Sequence, residues 1–303
     1  MLQKVVTDTN YAWNSEKKQA NNDFLVKISD KAIEEIKNKL KNDKSEISKL
    51  EKEILNYKKI LLEGKGVFVI DGNCFVEFSK NEMNEIYRII GKILGTLYVQ
   101  NIKREKFVNI QDEGKSMQTG GRYHQTKEGG SFHTDSPQWE KVPDFIGLCC
   151  INPAKKGGES RFVSVYDIHN KLLQENEEIL ESLYQHYHFD KRGEFEQGES
   201  PTVFEPIFSY SNNLLKCRYL RDYIDAGQEI QNKPLTQKEK ESLDILDKII
   251  HDESLAISYD MKKFDMVFFN NTRVLHGRTS FEDFEEMDKK RLLIRTWIKD
   301  IQN

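Results

Sequence analysis

Hydrophobic residues near the start of the chain recur every three or four positions, which is the spacing of one face of an α-helix. The region from about Ser29 to Ile60 is otherwise rich in lysine and glutamate, and the polar triplet 42–44 interrupts the apolar pattern. This arrangement predicts an amphipathic helical hairpin. Because glutamates are interleaved with the lysines, a solvated helix face explains these charges better than a membrane-binding or calmodulin-binding face.

Beyond Gly64 the pattern changes to short apolar runs separated by turn residues. The run 66–70 lies between glycines and predicts a buried strand, and Ser79 is placed to cap a helix over 81–97. Further strands are predicted at 145–151, 160–165, 203–210, 214–219, 256–259, 266–270 and 292–298, with helices at 166–174, 177–186 and 236–251. Many short strands without regular strand–helix alternation favour a closed or two-layered sheet over a doubly wound parallel sheet.

Composition narrows the functional classes. Of the 303 residues, 46 are Lys or Arg and 50 are Asp or Glu, so the net charge of -4 provides no basic surface for nucleic acid or an anionic membrane. No apolar run approaches the roughly 20 residues of a membrane span, and the first residues lack the apolar segment of a signal peptide. Four cysteines without a CxxC pair indicate neither a disulfide framework nor a zinc site. We therefore expect a cytoplasmic protein.

A candidate metal site begins at His133-Thr-Asp135. If this segment is extended, the alternation of a strand directs both side chains to one face, where they can bind one divalent ion. A third ligand would come from a distant strand, and His276, which follows an apolar run and precedes a glycine, is suitable. Two histidines and one carboxylate leave part of the coordination sphere open, as in non-haem Fe(II) oxygenases.

Two other histidine-containing segments compete with this one. His186 and His188, with Asp190, would share one side of an extended strand and could form a cupin-like metal site. The simpler interpretation is a polar, solvent-facing stretch before a charged loop. His251 closes a predicted helix, where an imidazole interacts favourably with the helix dipole without any metal.

Four short motifs then occur in a specific order. They are His133-x-Asp135, Gly157-Gly-Glu-Ser160, the segment 270–279 around His276, and the segment from Arg291 to Trp297. In this order they resemble the taurine dioxygenase/clavaminate synthase-like family of Fe(II)- and 2-oxoglutarate-dependent oxygenases. The resemblance extends from about Gly64 to Ile298. It implies a mainly β protein with flanking helices, whose core is a double-stranded β-helix (jelly roll).

The resemblance also implies roles for individual residues. His133, Asp135 and His276 would bind Fe(II), and Ser160 and Arg291 would bind the distal carboxylate of the cosubstrate 2-oxoglutarate. Arginine suits this task because its planar guanidinium group stays protonated and binds carboxylate with two hydrogen bonds. Arg295 would face the substrate, and its even spacing from Arg291 puts both on one strand face.

The reaction that the resemblance implies is oxidation of the substrate by O2, with release of succinate and CO2. Because Asp135 supplies the carboxylate that halogenating relatives lack, we expect hydroxylation, or desaturation or epoxidation, rather than halogenation. The substrate would be a small amino acid or an amino-acid-like molecule, free or held on a carrier protein. The glycine-rich segment 118–125 is a candidate wall or lid of its pocket.

The segment 218–225 supplies further candidate substrate contacts. Arg221 could bind a carboxylate and Asp222 an ammonium group, although a surface loop with local ion pairs explains the same residues equally well. We predict a helical extension over 1–63, where no family motif occurs, and an oxygenase domain over 64–303. The alternatives are a cupin-like metalloprotein using His186 and His188, and a catalytically inactive β-helix that acts as a binding module.

Overall fold

The computed structural model describes residues 1–14, 24–101, 103–115 and 125–301. The helices in these ranges are α1 (Asp30–Lys41), α2 (Ser48–Leu62), α3 (Lys80–Leu94), α4 (Val165–Glu175), α5 (Glu177–Leu183), α6 (Arg221–Ile230) and α7 (Gln237–Ile250). The strands are β1 (Leu25–Val26), β2 (Val67–Ile70), β3 (Thr96–Leu97), β4 (Phe107–Ile110), β5 (Gly130–His133), β6 (Phe145–Asn152), β7 (Lys156–Gly157), β8 (Ser160–Ser164), β9 (His186–Asp190), β10 (Thr202–Pro206), β11 (Phe208–Ser211), β12 (Leu214–Cys217), β13 (Ala256–Tyr259), β14 (Met266–Asn270), β15 (Val274–Arg278), β16 (Phe281–Glu282) and β17 (Leu292–Lys299). None of the described helices is both long and apolar enough to cross a lipid bilayer.

Two sheets form the core of the molecule. The larger has the order β1-β2-β14-β6-β17-β3, with β4 also paired to β17, and the smaller has the order β13-β8-β15-β5. Apolar side chains of both sheets bury one another, among them Leu148 and Phe269 of the larger sheet and Phe162 and Val274 of the smaller. This face-to-face packing of mainly antiparallel sheets confirms the expected jelly roll.

Helices α1 to α3 cover the outer face of the larger sheet, where Ile36, Ile54 and Ile86 share one core with the sheet residues Phe68 and Phe268. The predicted hairpin is confirmed, because α1 ends at Lys41 and α2 begins at Ser48. The prediction for α3 was right at its start, where Ser79 forms a capping box with Glu82. The predicted end of this helix, at residue 97, was wrong.

Helix α3 stops at Leu94, three residues before the predicted end, because the chain turns sharply there into the larger sheet. A Cβ atom at Gly95 would lie only 2.2 Å from the carbonyl oxygen of Lys299, so only glycine fits this close approach. Thr96 and Leu97 then pair with β17 as a short strand. Tertiary strand pairing thus overrides the helical period of Leu97.

Side chains from the end of the chain hold α2 against the core. The guanidinium group of Arg273 donates to the carbonyl oxygens of Leu61 (3.2 Å), Leu62 (2.6 Å) and Gly64 (2.7 Å), which are left without helical partners at the end of α2. Lys58 of α2 forms a buried ion pair with Asp300, with 2.5 Å between Nζ and Oδ1.

Helices α4 to α7 and two hairpins, β9–β10 and β11–β12, cover the outer face of the smaller sheet. The single strand predicted over 203–210 was wrong. The chain forms two strands that separate at Ile207, since β10 pairs with β9 and β11 pairs with β12. A surface loop was one of two equally weighted interpretations of the segment 218–225, yet most of the segment lies in α6, whose buried side includes Ile224.

Candidate metal centre and active site

The site starts from a cross-strand pair in the smaller sheet. His276 of β15 is the direct register partner of His133 of β5, so both imidazoles project from the same face. Their ring centroids lie 4.3 Å apart. Asp135 follows His133 by two residues, just beyond the end of β5. The nearest ligand atoms of the three side chains all lie within 4.8 Å of one another, as a shared metal ion requires.

Three neighbours orient Asp135. Its Oδ2 accepts a hydrogen bond from the indole Nε1 of Trp297 (2.7 Å) and lies 3.2 Å from Nη1 of Arg295. Asn271 fixes the backbone, because its Oδ1 accepts from the Asp135 N–H (2.9 Å) and its Nδ2 donates to the Asp135 carbonyl oxygen (3.0 Å). The other carboxylate oxygen, Oδ1, therefore faces Nε2 of His133 at 3.4 Å and Nε2 of His276 at 3.8 Å.

The electrostatics of the cluster favour metal-binding protonation states. Burial alone would raise the pKa of Asp135, but the nearby Arg295 guanidinium outweighs burial and holds that pKa well below its usual range. Burial and the neighbouring His133 lower the pKa of His276 to about 3, so its imidazole is neutral at physiological pH. His133 Nδ1 lies 2.8 Å from the carbonyl oxygen of Ser131, which can only accept, so we assign the proton to Nδ1 and the lone pair to Nε2.

A small cavity of about 80 Å³ opens beside the cluster, lined by Ser160, Arg278 and Arg291 together with the two histidines. Arg291 is 3% exposed, and its Nη1 has no hydrogen-bond partner among the described residues. Burial lowers the pKa of Arg291 to about 10, which still leaves it cationic at neutral pH. Gly158 makes room for this side chain, because a Cβ atom there would lie 3.1 Å from Nε of Arg291.

A larger cavity of about 610 Å³ reaches the cluster from the other side, where Asp135, Arg295 and Trp297 form part of its wall. Its remaining lining is polar and carries both signs of charge, including Gln138 and Glu194. The wall consists of Gln100, Asn101, Lys103, Glu105, Phe107, Val108, Asn109, Gln111, Glu113, Gln125, His133, Thr134, Asp135, Ser136, Pro137, Gln138, Arg192, Gly193, Glu194, Leu220, Tyr223, Arg295 and Trp297. Two cavities, one small and cationic, the other large and of mixed charge, therefore meet at one cluster of candidate metal ligands.

Comparison with known proteins identifies the family. Residues 33–297 match the Taurine catabolism dioxygenase TauD, TfdA family. The FR-33289 synthase of Streptomyces rubellomurinus is 32% identical over 243 residues, which span 78% of this chain and 70% of that protein. The chain belongs to the TauD/TfdA dioxygenase family.

Solved structures agree on the fold of this TauD/TfdA dioxygenase. A crystal structure of asparagine oxygenase with Fe(II), 2S,3S-3-hydroxyasparagine and succinate superposes with a TM-score of 0.70 at 14% identity, covering 91% of this chain and 93% of the other. The non-heme iron oxygenase OrfP in complex with Fe and alpha-ketoglutaric acid gives 0.65 at 12% identity, covering 91% and 93%.

Membership makes the protein an Fe(II)- and 2-oxoglutarate-dependent dioxygenase, and its own residues fit both groups. Two imidazoles and one carboxylate are a donor set suited to ferrous iron. The buried guanidinium of Arg291 lacks a carboxylate partner among the described side chains, so an anionic ligand beside the cluster would satisfy it. When bound, iron and 2-oxoglutarate supply the oxidising chemistry, coupled to release of succinate and CO2.

Two of the sequence-predicted substrate residues lie elsewhere. Arg221 donates to Asp225, Asp244 and Asp247, with distances of 2.8 to 2.9 Å, and it does not line the larger cavity. Asp222 is exposed on α6. Their α6 neighbour Tyr223 does line the cavity. Residues 118–124 of the expected lid lie outside the described residues.

The competing histidines lie away from this centre. His188 Nδ1 forms a hydrogen bond with Thr202 Oγ1 (3.1 Å), and the imidazole ring stacks on Phe204 with 4.4 Å between ring centroids. His186 lies 5.2 Å from the same phenyl ring. Across the described ranges, the only cluster of His, Cys, Asp or Glu suited to a metal ion is that of His133, Asp135 and His276. The cupin-like interpretation therefore gains no support.

Sequence reasoning missed residues that orient the predicted ones. Gln100 Oε1 accepts from Nε of Arg295 at 2.8 Å, and Trp297 and Asn271 hold Asp135. Trp297 was accessible from the pattern, since its even spacing from Arg295 along β17 places it on the same strand face. Gln100 and Asn271 carry no local signal, because each meets its partner only through the fold.

Proposed function

We propose that this dioxygenase hydroxylates an unactivated C–H bond of a small amino acid or an amino-acid-like molecule. In this proposal His133, Asp135 and His276 bind Fe(II), while Ser160 and Arg291 bind the distal carboxylate of 2-oxoglutarate. The observation that carries it is the adjacency of a complete set of metal ligands to a buried arginine that lacks an anionic partner. Family membership supports the reaction class independently.

The chain contributes orientation and a controlled charge distribution. Trp297 holds Oδ2 of Asp135 at 2.7 Å, and Arg295 Nη1 lies 3.2 Å from Oδ2 and 3.4 Å from Oδ1, so the carboxylate is oriented with Oδ1 toward the two imidazoles. Buried donors beside the cluster fix the cosubstrate from its far end, since a charge-assisted hydrogen bond from arginine is both strong and directional. The larger cavity presents the substrate next to the same cluster.

The lining of the larger cavity supports a zwitterionic substrate. Arg295 is its cationic group nearest the cluster and is suited to a carboxylate. Glu194 is suited to an ammonium group, and its Oε2 is fixed by hydrogen bonds from Gln138 Nε2 (3.2 Å) and Trp139 Nε1 (3.0 Å). Arg218 makes this arrangement rigid, because its Nη1 donates to the carbonyl oxygens of Pro137 (2.9 Å) and Trp139 (2.8 Å).

Named relatives point to the same substrate class. The asparagine oxygenase structure contains 3-hydroxyasparagine, and an OrfP structure contains (3S)-hydroxy-L-Arg. Arg295 therefore remains a proposed substrate contact, and Glu194 and Tyr223, which line the larger cavity, take the roles first expected of Arg221 and Asp222. A carrier-bound form of the substrate is a second option, because an open cavity of this size admits an extended aminoacyl group.

We also propose an assignment for the chain's organisation and location. Residues 1–63 are an extension packed on the oxygenase domain 64–303, supported by the core that α1 and α2 share with the larger sheet. The reducing cytoplasm is supported by the four cysteines, all of which are free thiols.

The test is a screen of amino acids for succinate release with Fe(II), 2-oxoglutarate and O2. We expect at least one amino acid to stimulate succinate release and to gain the mass of one oxygen atom. A His133→Ala variant should abolish the stimulation, and an exposed His186→Ala variant should not. Binding of amino acids without any stimulated succinate release, even with excess Fe(II), would favour a catalytically inactive binding module instead.

A further inference from the structure

The small cavity contains a second arginine that the proposed function does not use. We propose that Arg278 binds the distal carboxylate of 2-oxoglutarate together with Arg291, an inference that rests on the proposed function. Arg278 would then determine which 2-oxo acids the enzyme accepts, because two guanidinium groups in one pocket demand a ligand with a distal negative charge.

Strand register brings Arg278 to this pocket. It lies two residues beyond His276 on β15, so the two side chains share one strand face. Its register partner on the neighbouring strand β8 is Ser160, the residue expected to donate its hydroxyl to the cosubstrate. Arg278, Ser160 and Arg291 all line the small cavity beside the metal ligands. The backbone pairing alone therefore aligns a metal ligand, a hydroxyl and a guanidinium along one face.

The guanidinium of Arg278 is oriented but not satisfied. Its Nη2 donates to the backbone carbonyl oxygens of Thr126 (3.0 Å) and Glu128, which fixes the plane of the group. Its Nε is buried and has no hydrogen-bond partner among the described residues, as is also true of Nη1 of Arg291. Asp112 and Asp283 are the carboxylates that act electrostatically on Arg278 and Arg291, respectively, but in the described part of the chain neither forms an ion pair with the guanidinium group; Asp283 accepts instead from the backbone N–H of Arg291 at 2.7 Å. Two buried donors thus lack an acceptor in the same cavity.

Both arginines meet on one aromatic ring. The Cζ atoms of Arg278 and Arg291 each lie 4.9 Å from the ring centroid of Phe281, so the two atoms are separated by less than twice that distance. Like charges this close, in a site shielded from water, repel one another until an anion is bound. One carboxylate has about four acceptor positions, enough for donors from Ser160 and from both arginines. A distal carboxylate bound in the cavity would therefore offer acceptors to the two unpartnered nitrogens, Arg278 Nε and Arg291 Nη1.

The test measures binding of two anions by calorimetry, with Mn(II) in place of Fe(II) so that no turnover is needed. The probes are 2-oxoglutarate and oxalate, which chelates metal ions but has no distal carboxylate. The variants are Arg278→Gln, Arg278→Lys and the control Arg161→Gln. Arg161 is a matched control because it also lies over a phenyl ring, that of Phe132 at 5.0 Å, but pairs with the exposed Glu253.

We expect Arg278→Gln to raise the Kd of 2-oxoglutarate by about 10-fold to 100-fold, because a charge-assisted hydrogen bond is lost. The Kd values of oxalate and Mn(II) should stay within about twofold, and Arg161→Gln should leave all three unchanged. Arg278→Lys keeps the charge and should restore part of the affinity for 2-oxoglutarate, which also serves as the test if the glutamine variant does not fold.

Two outcomes would overturn the inference. Unchanged binding of 2-oxoglutarate by Arg278→Gln would show that this side chain does not contact the cosubstrate. Parallel loss of oxalate or Mn(II) affinity would show that Arg278 only supports the backbone near residues 126–128. Failure of the unaltered protein to bind 2-oxoglutarate at all would instead overturn the proposed function, so the two failures are distinguishable.

Discussion

Replacement of Trp297 by Phe offers a quantitative test of how the fold prepares the metal centre. The substitution deletes the indole N–H that donates to Oδ2 of Asp135 at 2.7 Å and retains an aromatic ring at the same buried position. Without this donor, the carboxylate can rotate away from the orientation in which Oδ1 faces the two imidazoles. We therefore expect metal affinity to fall although no ligand has been removed.

The size of the effect follows from the contacts that remain. A hydrogen bond to a charged group contributes about 1.5 to 3 kcal/mol, which corresponds to roughly 10-fold to 150-fold in affinity. Because Arg295 Nη1 still lies 3.2 Å from the same oxygen, Asp135 keeps one partner. We thus expect the Kd of Mn(II) to rise by about 10-fold to 30-fold, toward the lower end of that range.

The assay is Mn(II) binding followed by electron paramagnetic resonance at pH 7.5, with urea unfolding as a check on the fold. Trp139→Phe is the matched control, since that indole donates to Glu194 at 3.0 Å and packs edge-on against Trp297 with 5.2 Å between centroids. We expect its Mn(II) affinity to stay within about twofold of the unaltered protein. The reasoning would be refuted by unchanged affinity in Trp297→Phe, or by equal losses in both variants.

Three further predictions concern stability and the cosubstrate. Lys58→Met should lower the free energy of unfolding by about 3 to 5 kcal/mol in urea titrations, because it removes the ammonium group that neutralises the buried carboxylate of Asp300, whereas combination with Asp300→Asn should recover most of the loss. Burial lowers the pKa of His169 to about 4, so the unfolded chain binds more protons than the native state between pH 6.5 and 4. The stability that the neutral His169 contributes, up to about 3 kcal/mol, is therefore complete above pH 6.5 and is lost as the pH falls to 4. This pH dependence should be absent in His169→Gln. Gly158→Ala should lower stability by about 1 to 3 kcal/mol because its φ is +77°, and should weaken 2-oxoglutarate binding in calorimetry because the new Cβ displaces Arg291.

A specific experimental result would contradict each of these three predictions. A single variant at Lys58 as stable as the double variant would mean that the ion pair does not carry the stability. Parallel acid-unfolding curves for His169→Gln and the unaltered protein would exclude this histidine as a cause of acid sensitivity. Unchanged cosubstrate affinity in Gly158→Ala would show that Arg291 tolerates displacement.

Site residues that lie close together in the sequence could be predicted from the sequence alone. His133 and Asp135 are two residues apart, and strand alternation alone predicts that they share a face. Arg291, which directly precedes β17, and Arg295 within it both line the small cavity, as their even spacing predicts. His276 was proposed as the third ligand from its position between an apolar run and a glycine, and the resemblance of four ordered motifs then added Ser160. The distance of both residues along the chain from His133 hides their proximity to it in space.

Elements whose formation depends on long-range strand pairing or on packing between helices could not be predicted from the sequence. Strand β15 was not predicted, because only Val274 and Leu275 are apolar and its hydrogen bonds come from β5 and β8 on either side. Helix α6 was missed because its first turn is polar. Its residue Arg221 could be paired with Asp225 from an i,i+4 spacing, but its other two partners belong to α7 and depend on packing between helices.

The contact between Arg273 and the end of α2 bears on how this protein can be shortened. Arg273 lies three residues before His276, and three carbonyl oxygens at the end of the helical hairpin accept from its guanidinium group. Deleting the first 63 residues would remove two of those acceptors, and it would also expose the apolar outer face of the larger sheet to water. The catalytic domain therefore cannot be trimmed to its motif-bearing residues, and engineering of a minimal enzyme must retain the helical hairpin.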